Sequence, residues 1–338
     1  MNPWLLLVAS LFATGNGLAT RFSTEELARY SFSRFVKDFG RNYQRGSEEW
    51  AMRKRLFHQR MQEVRDFHAG PPRSYRKGVT RFMDYTDAEY KSMLGYKGSR
   101  SRKSAGVGAI ELFTQREHSR LLPAFIDVGS NSSLGAIVRD QGSCGSCWAE
   151  ATVAVLESHM EKNKEVMAVL ADPKLLKTQT LATLSTQAVV SCTQNPHHCG
   201  GKGGCEGATG ELAFSMVKEK GIPLAVAWPY TSGYGNTPTC REDVFQTPRL
   251  GIAGYEVLPA NKLEPLKRAL VDAGGPIVIS VDASSWALYN AGIFSDTEGG
   301  KPGDFTVNHA VTLMGFTEPS SDKRGYWLGK NSWGAYWG

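Results

Sequence analysis

Apolar residues recur at helical spacing over the first two thirds of the chain and then give way to short alternating or continuous runs, a change of period that divides the sequence. Ser23-Thr24-Glu25-Glu26 opens a helix, and Phe32, Phe35 and Phe39 follow at i, i+3 and i+7 until Gly40 stops the pattern. Ser47-Glu48-Glu49 starts a longer helix with Trp50, Phe57, Met61 and Val64 along one face. From Trp148 to Met160 the apolar positions Trp148, Val153, Val155, Leu156 and Met160 again keep helical spacing. Beyond residue 250 the character changes. Gly251–Leu258, Pro276–Val281, Val307–Phe316 and Tyr326–Lys330 read as strands between Gly-rich turns, with one amphipathic helix over Lys262–Asp272. The expected class is α+β: a helical lobe, then an antiparallel β lobe, both preceded by a mainly helical N-terminal unit.

The first residues stand apart. Within Met1–Ala19 an apolar run from Trp4 to Ala13 is followed by small residues including Gly17 and Ala19, the layout of a signal peptide and too short to span a bilayer. No later stretch is long and apolar enough to span one. Charge is split along the 338 residues, which carry net +6. Residues 20–120 hold 22 Lys and Arg against 12 Asp and Glu, whereas residues 121–338 hold 17 against 21. A basic block often marks a nucleic-acid partner. Here the opposite sign downstream points to an intramolecular contact, a cationic segment lying on an anionic domain, which acid would weaken by protonating carboxylates. Gly98–Gly108, rich in Gly, Ser, Lys and Arg, reads as an exposed linker open to proteolytic nicking. Three units follow: 1–19, 20–120 and 121–338.

The chemistry concentrates in Gln141-Gly142-Ser143-Cys144-Gly145-Ser146-Cys147-Trp148-Ala149. A thiol attacks a carbonyl well only as thiolate, and an ordinary cysteine is mostly protonated near neutral pH. Cys147 stands where a turn enters the helix, so unpaired N–H groups and the helix dipole favour a negative sulfur. Gln141 can offer a side-chain N–H to an oxyanion forming beside it. His309, in Val307-Asn308-His309-Ala310-Val311, supplies a base on an apolar strand. Asn331, 22 residues later (331 − 309), can orient its ring, and Trp333 can cover that hydrogen bond. Taken singly, Cys-x-x-Cys also suits redox or metal chemistry, a strand histidine suits a core, and Asn331-Ser332-Trp333-Gly334 suits a turn. Order, spacing and flanking residues together select nucleophilic catalysis.

These segments resemble the papain-like cysteine proteases. The resemblance implies a two-lobe fold, peptide-bond hydrolysis without cofactor or metal, and catalytic Cys147, His309, Asn331 and Gln141. In that family His and Asn follow the cysteine by roughly 130–150 residues. Here His309 follows by 162 (309 − 147) and Asn331 by 184 (331 − 147), so insertions are expected, one of them Glu161 to Ala182. The spacing Glu49, Arg53, Phe57, Arg60, Val64, His68 resembles the ERFNIN helix of cathepsin L-type propeptides, with Arg60 and His68 in place of asparagines. Gly78-Val79-Thr80-Arg81-Phe82-Met83-Asp84 resembles the propeptide turn that follows it. The resemblance also pairs Cys144 with Cys205 and Cys192 with Cys240, leaving Cys199 over: free, competing with Cys205 for Cys144, or bridged beyond residue 338.

Gly204-Cys205-Glu206-Gly207-Ala208 resembles the family's Gly-Cys-x-Gly-Gly wall, which pairs with substrate two residues before the cut, and Ala208 fits only with negative φ. Gly207, Ala208, Gly210, Ser280, Asn308 and Trp333 are the expected substrate contacts. Ala208, Gly210, Ser280 and Asn308 are small or uncharged and favour an apolar or aromatic side chain two residues before the cut. Three departures stand out. Glu150 occupies a position that is usually aromatic. Asp127-Val128-Gly129 replaces Asp-Trp-Arg. The chain stops at Gly338 before one or two further strands, which would leave a sheet edge open. Asn131-Ser132-Ser133 is a glycosylation sequon, and His197-His198 beside Cys199 reads as a solvated loop rather than a metal site. The leading reading is an endopeptidase zymogen of the secretory pathway, extracellular or in a lysosome or vacuole. Its partners would be polypeptide substrates, its own propeptide and cystatin-type inhibitors, as a monomer with no nucleic acid and no membrane after leader removal. An exopeptidase of the same fold, its cleft blocked by the 161–182 or 193–204 insert, is one alternative. A truncated, inactive inhibitor is the other.

Overall fold

The computed structural model describes residues 5–8 (main chain), 22–97, 121–129, 132–177, 179–295, 306–322 and 324–338. The expected linker over Gly98–Gly108 and the sequon residue Asn131 lie outside the described residues. Serine and threonine caps set the N-terminal helices. Ser23 and Glu26 form a capping box at helix α1 (Thr24–Arg29), each side chain accepting the other's backbone N–H at 3.2 and 2.8 Å. Ser31 caps α2 (Phe32–Asp38), after which Phe39 is the C-cap and Gly40 takes φ +59°. Ser47 caps α3 (Glu48–Ala69). Phe57, Met61 and Val64 on the predicted face of α3 are fully buried and close a small core with Phe32 and Phe35.

Ion pairs tie this N-terminal unit together. Fully buried Asp84 accepts two hydrogen bonds from the Arg41 guanidinium, at 2.9 and 3.0 Å, and one from Tyr43 at 2.6 Å. Arg53 grips both oxygens of Glu89 at 2.6 Å, where Glu89 also completes the capping box with Thr86 on α4 (Asp87–Met93). Arg60 pairs with Glu63 and Asp87, and His68 Nε2 lies 2.7 Å from the Lys77 carbonyl, so neither replacement leaves a gap in the helix face. Among the described residues one ion pair crosses from this unit to the rest of the chain, Arg81–Asp140 at 2.5 Å. The anticipated cationic-on-anionic contact is therefore mostly internal: the other paired cations of residues 22–97 face carboxylates of the same unit.

Burial alone would raise Glu89, but hydrogen bonds from Arg53 and Thr86 carry it down to about 2. A carboxylate lowered in the folded chain stabilises above its unfolded value of about 4.3, and that stability fades as pH falls towards 2. Glu89→Gln is expected to lower the melting temperature of the N-terminal unit at pH 7. The difference should shrink between pH 4 and pH 2, as read by calorimetry in a Cys147→Ala background. An equal deficit at both ends would detach the stabilisation from the Glu89 charge.

The helical lobe is built round α5 (Cys147–Lys162), whose residues from Cys147 to Ser158 are all buried. Helices α6 (Lys164–Leu170) and α7 (Pro173–Leu176) form in the 161–182 insert and put Leu170 and Leu176 into the same core as α8 (Thr186–Cys192) and α9 (Gly210–Lys220). Disulfides Cys144–Cys205 and Cys192–Cys240 fasten the loops, while Cys147 is free and buried and Cys199 free and exposed.

In the second lobe, β8 (His309–Thr317) is the central strand. Along one edge it pairs antiparallel with β6 (Ile277–Val281) and β3 (Phe125–Asp127), and along the other with β9 (Tyr326–Lys330). Leu270 of α10 (Leu263–Ala273) packs on Leu313 and Phe316 of β8. Two expectations fail. The first is a strand over Gly251–Leu258. Only Arg249–Leu250 (β5) enters a ladder, with Ile222–Pro223 (β4), and the following residues run largely exposed past Gly251 and Gly254. Alternation there has no buried face to serve. The second is the open edge of β9: in the full chain Leu5–Val8 (β1), which falls inside the expected leader, lies along it in parallel, Leu5 opposite Tyr326 and Val8 opposite Gly329, so the edge is covered only while those residues are attached. Strand β7 (Tyr289–Gly292) pairs antiparallel with β2 (Tyr75–Lys77) and so draws the N-terminal unit onto the β lobe.

Candidate active site

Cys147 is the first residue of α5, so the free N–H end of the helix surrounds its sulfur. The segment before it is fixed by close backbone approaches. Gly142 takes φ +64°, and a Cβ there would fall 2.2 Å from the Gly233 carbonyl oxygen. The Gln141 N–H donates to Ser332 O at 2.9 Å, and Asp140 bridges to Trp333. These bonds bring the last residues of the β lobe against the nucleophile loop.

His309 begins β8, and the N–H of the next residue, Ala310, donates to Cys147 Sγ at 3.4 Å. Its Nε2 lies 2.8 Å from Asn331 Oδ1, and Oδ1 also accepts the Ser332 N–H at 2.8 Å. That second bond fixes the amide orientation, so His309 Nε2 is the donor and Nδ1 the basic nitrogen. Nδ1 is buried and has no hydrogen-bond partner among the described residues. Trp333, 1 % exposed, covers the imidazole at a tilt, 4.8 Å between ring centres, and Trp286 stands edge-on at 6.3 Å. Gln141 accepts from Ser332 Oγ at 2.7 Å, which aims its Nε2 at two carbonyls, Cys144 and Met93, both at 2.8 Å. Tyr230 donates to Gln141 O and meets Ser146 Oγ, each at 2.8 Å.

Met93 belongs to the N-terminal unit, and the residues after it run through the cleft. Ala208 N–H donates to Gly95 O at 3.2 Å, Tyr96 N–H to Asn308 O at 3.0 Å, and Lys97 N–H to Gly200 O at 2.7 Å. Gly95 presses so closely on the nucleophile loop that a Cβ would lie 1.8 Å from Gly145 O. Phe82 and Tyr90 cover Trp333 at 5.0 and 5.7 Å, and the Tyr90 hydroxyl donates to Ala283 O at 2.6 Å. Under this cover Cys147 and His309 are fully buried. Burial pushes the Cys147 thiol up to about 11 against the backbone N–H groups of Ala310, Gly95, Trp148 and Cys147. Burial also draws His309 down to about 4 despite its bond to Asn331.

Ser332, Trp286, Gly95 and Met93 stand at the site and were not among the expected site residues. Ser332 belongs to the Asn331-Ser332-Trp333-Gly334 segment. The glycine and the methionine act through main chain, which leaves no side-chain signature.

A sequence profile described as papain family cysteine protease matches residues 122–338. The chain belongs to the papain family of cysteine proteases. A second profile, the cathepsin propeptide inhibitor domain (I29), matches residues 32–90, so the unit lying in the cleft is a propeptide inhibitor and the chain a zymogen of that family. Among similar curated proteins, "Probable cysteine protease RDL3" of Arabidopsis thaliana is 29% identical over 336 residues, 99% of this chain and 81% of that protein. "Thiol protease SEN102" of Hemerocallis sp. is 29% identical over 87% of this chain and 74% of that protein. Among solved structures, the digestive procathepsin L2 proteinase of Tenebrio molitor larval midgut superposes with TM-score 0.69 at 26% identity, covering 92% of this chain and 91% of that one. The recombinant stem bromelain precursor gives TM-score 0.67 at 28% identity, over 91% and 88%.

Of the substrate contacts expected from the sequence, Ala208 and Asn308 meet the propeptide through main chain, Ala208 N–H donating to Gly95 O and Asn308 O accepting from Tyr96 N–H. Positive φ among non-glycine described residues is confined to Lys177, His198 and Asn261, so Ala208 is unstrained. Gly207 has φ +97°, and a Cβ on it would fall 2.5 Å from Gly95 O. Gly210 lies against Val278, and Ser280 pairs with Ala310 in the ladder. Asn308 turns its side chain away to Ala283, Asp282 and Ser284 and offers only its carbonyl to the propeptide. His197 and Cys199 are exposed, and no cluster of three metal-ligating side chains occurs among the described residues.

Proposed function

We propose that the chain is a cysteine endopeptidase whose nucleophile is Cys147, with His309 as base and acid, Asn331 as the group orienting it and Gln141 as oxyanion donor. The observation that carries this reading is the pairing of His309 Nε2 with Asn331 while Nδ1 is left unpartnered, on a strand whose next N–H touches Cys147 Sγ. In the opened cleft Nδ1 takes the thiol proton and the thiolate adds to the substrate carbonyl. Gln141 Nε2 and the Cys147 N–H hold the resulting oxyanion. His309 then gives its proton to the leaving amine, and water hydrolyses the thioester with Nδ1 again taking a proton.

Latency follows from chain direction. A substrate meets Ala208 two residues before its scissile bond, so its chain runs from Ala208 towards Gln141. The propeptide places Gly95 at Ala208 and the earlier Met93 at Gln141, and therefore runs the other way. Its peptide bonds lie in the cleft reversed, and the Met93 carbonyl takes the Gln141 N–H that an oxyanion would need.

The continuous passage from Met93 to Lys97 favours an endopeptidase over an exopeptidase. The 161–182 insert lies at the far end of α5 from Cys147, and the 193–204 loop forms a wall through Gly200. A leader at Met1–Ala19 fits passage through the secretory pathway. Acidified zymogen is expected to mature by cutting between Gly95 and Leu122. The product should cleave peptides with Leu or Phe two residues before the cut about tenfold faster than peptides with Lys or Glu there. N-terminal sequencing and a substrate series read both. A mature start before Phe82, or release of dipeptides from chain ends alone, would overturn the reading.

A further inference from the structure

Glu150 lies three residues after Cys147 on α5, 3 % exposed, and the chemistry proposed above gives it no role. It is one of four charged side chains packed behind the catalytic pair. Arg139 reaches Glu150 at 3.6 Å and also pairs with Glu157. Thr186 of α8 bonds both Arg139 and Glu150, at 3.1 Å each. Lys330, next in sequence to Asn331 and 4 % exposed, donates to Gly135 O at 2.5 Å. Between these groups and the active site lies a cavity of about 10 Å³ lined by Arg139, Glu150, Ala310, Lys330, Asn331 and Ser332. Its size suits one water molecule, and a buried water needs two to four polar partners. Such partners are at hand: Asn331 Nδ2 and Arg139 Nε are buried without a hydrogen-bond partner among the described residues.

We propose that Glu150 is a positioning residue for Asn331, acting through a single water held in this cavity between its carboxylate and Asn331 Nδ2. The Ser332 N–H fixes which way the amide faces, but Nδ2 is left without an acceptor, and an unmet buried donor weakens the hold on the amide. The Glu150 carboxylate supplies that acceptor through the water and places negative charge behind the imidazolium formed in the reaction. The groups acting on Glu150 are Arg139 from the approach segment and Thr186 from α8, with Glu157 on its own helix and Asp140 and Tyr230 nearby, and Lys330 of β9 lines the same cavity. Burial raises Glu150 to about 7 against the pull of Arg139 and Thr186, so its charge varies in the range where the enzyme would work.

This inference rests on the assignment of His309 and Asn331 as the catalytic pair. The test is the kcat–pH profile of the processed Glu150→Gln and Glu150→Leu enzymes. Each is normalised to sites titrated by a thiol-directed epoxide, so that misfolded protein does not count. Glu150→Gln should lower kcat about fivefold and Glu150→Leu about twentyfold, with KM within twofold. The alkaline limb of the kcat profile should move to lower pH in both. Adding Thr186→Glu to Glu150→Leu, which returns a carboxylate beside Arg139, should restore part of kcat and of the limb. Unchanged kcat and limb positions in both single variants would overturn the inference while leaving the Cys147 assignment intact. A loss confined to titratable sites, with kcat per site unchanged, would overturn it too. If the wild-type enzyme is not titrated at Cys147, the catalytic assignment itself fails.

Discussion

Replacing Cys147 by alanine is expected to abolish peptide hydrolysis by the acid-treated chain, a loss on the order of 10⁴-fold or more, and to abolish labelling by thiol-directed epoxides. His309→Ala should cost nearly as much, because a thiol without its base stays protonated near neutral pH. Asn331→Ala should cost less, on the order of 10–100-fold, since His309 keeps Nδ1 but loses the bond that fixes its ring. The ordering matters more than any one value. Residues that act as a unit give non-additive losses, so the His309→Ala/Cys147→Ala double variant should be no worse than Cys147→Ala alone. Rates with a fluorogenic peptide, corrected for folded protein by near-ultraviolet dichroism, decide it. Hydrolysis retained by Cys147→Ala would move the reactive thiol elsewhere, with exposed Cys199 the first to examine.

The second large effect is on latency. Gly95→Val places a branched side chain where even a Cβ would lie 1.8 Å from Gly145 O, and backbone on backbone cannot give way cheaply. The propeptide segment must lift from the cleft, releasing the Ala208, Asn308 and Gly200 bonds together with the Met93 carbonyl on Gln141. Losing contacts of that kind weakens an intramolecular inhibitor by about 2–3 kcal/mol, near a hundredfold. The unprocessed Gly95→Val chain at neutral pH should therefore take up epoxide on the order of a hundred times faster than the unprocessed natural chain. Equal rates would show that the Phe82 and Tyr90 packing on Trp333 holds the propeptide down without the segment at Gly95.

Much of this was legible in the sequence because the signals were side-chain signals. Phe57, Met61 and Val64 announced a buried face by spacing, and Ser23, Ser31 and Ser47 sit where N-caps satisfy free N–H groups. Cys147, His309, Asn331 and Gln141 were singled out by chemistry and order, and the structure gathers them at one place. What stayed hidden depends on backbone or on distant pairing. Gly95 matters for the side chain it lacks, which no pattern of polarity records. The β2–β7 pairing joins a three-residue and a four-residue strand far apart in sequence, too short for alternation to mark either. Glu150 looked anomalous alone, because its partner Arg139 lies in an irregular segment and Thr186 on another helix. Gly251–Leu258 shows the opposite error, an alternating stretch that runs over the surface with no ladder to join.

Inhibition and chemistry are thus two aspects of one arrangement. The strand that carries His309 and the helix that begins at Cys147 are joined through Ser332, Trp333 and Gln141. The propeptide adds main-chain contacts at Ala208, Asn308 and Gln141 and buries the pair. Under it the thiol is raised and the imidazole lowered, so both are held neutral. Water entering an opened cleft removes the burial that disfavours their charged forms. The most direct measurement is peptide mapping by mass spectrometry after epoxide treatment, before and after acid processing of the natural chain. The account predicts label on Cys147 alone, appearing far faster once the chain has been cut between Gly95 and Leu122 than in the intact zymogen. Label on Cys147 in the intact chain at the same rate, or on Cys199 in place of Cys147, would contradict it.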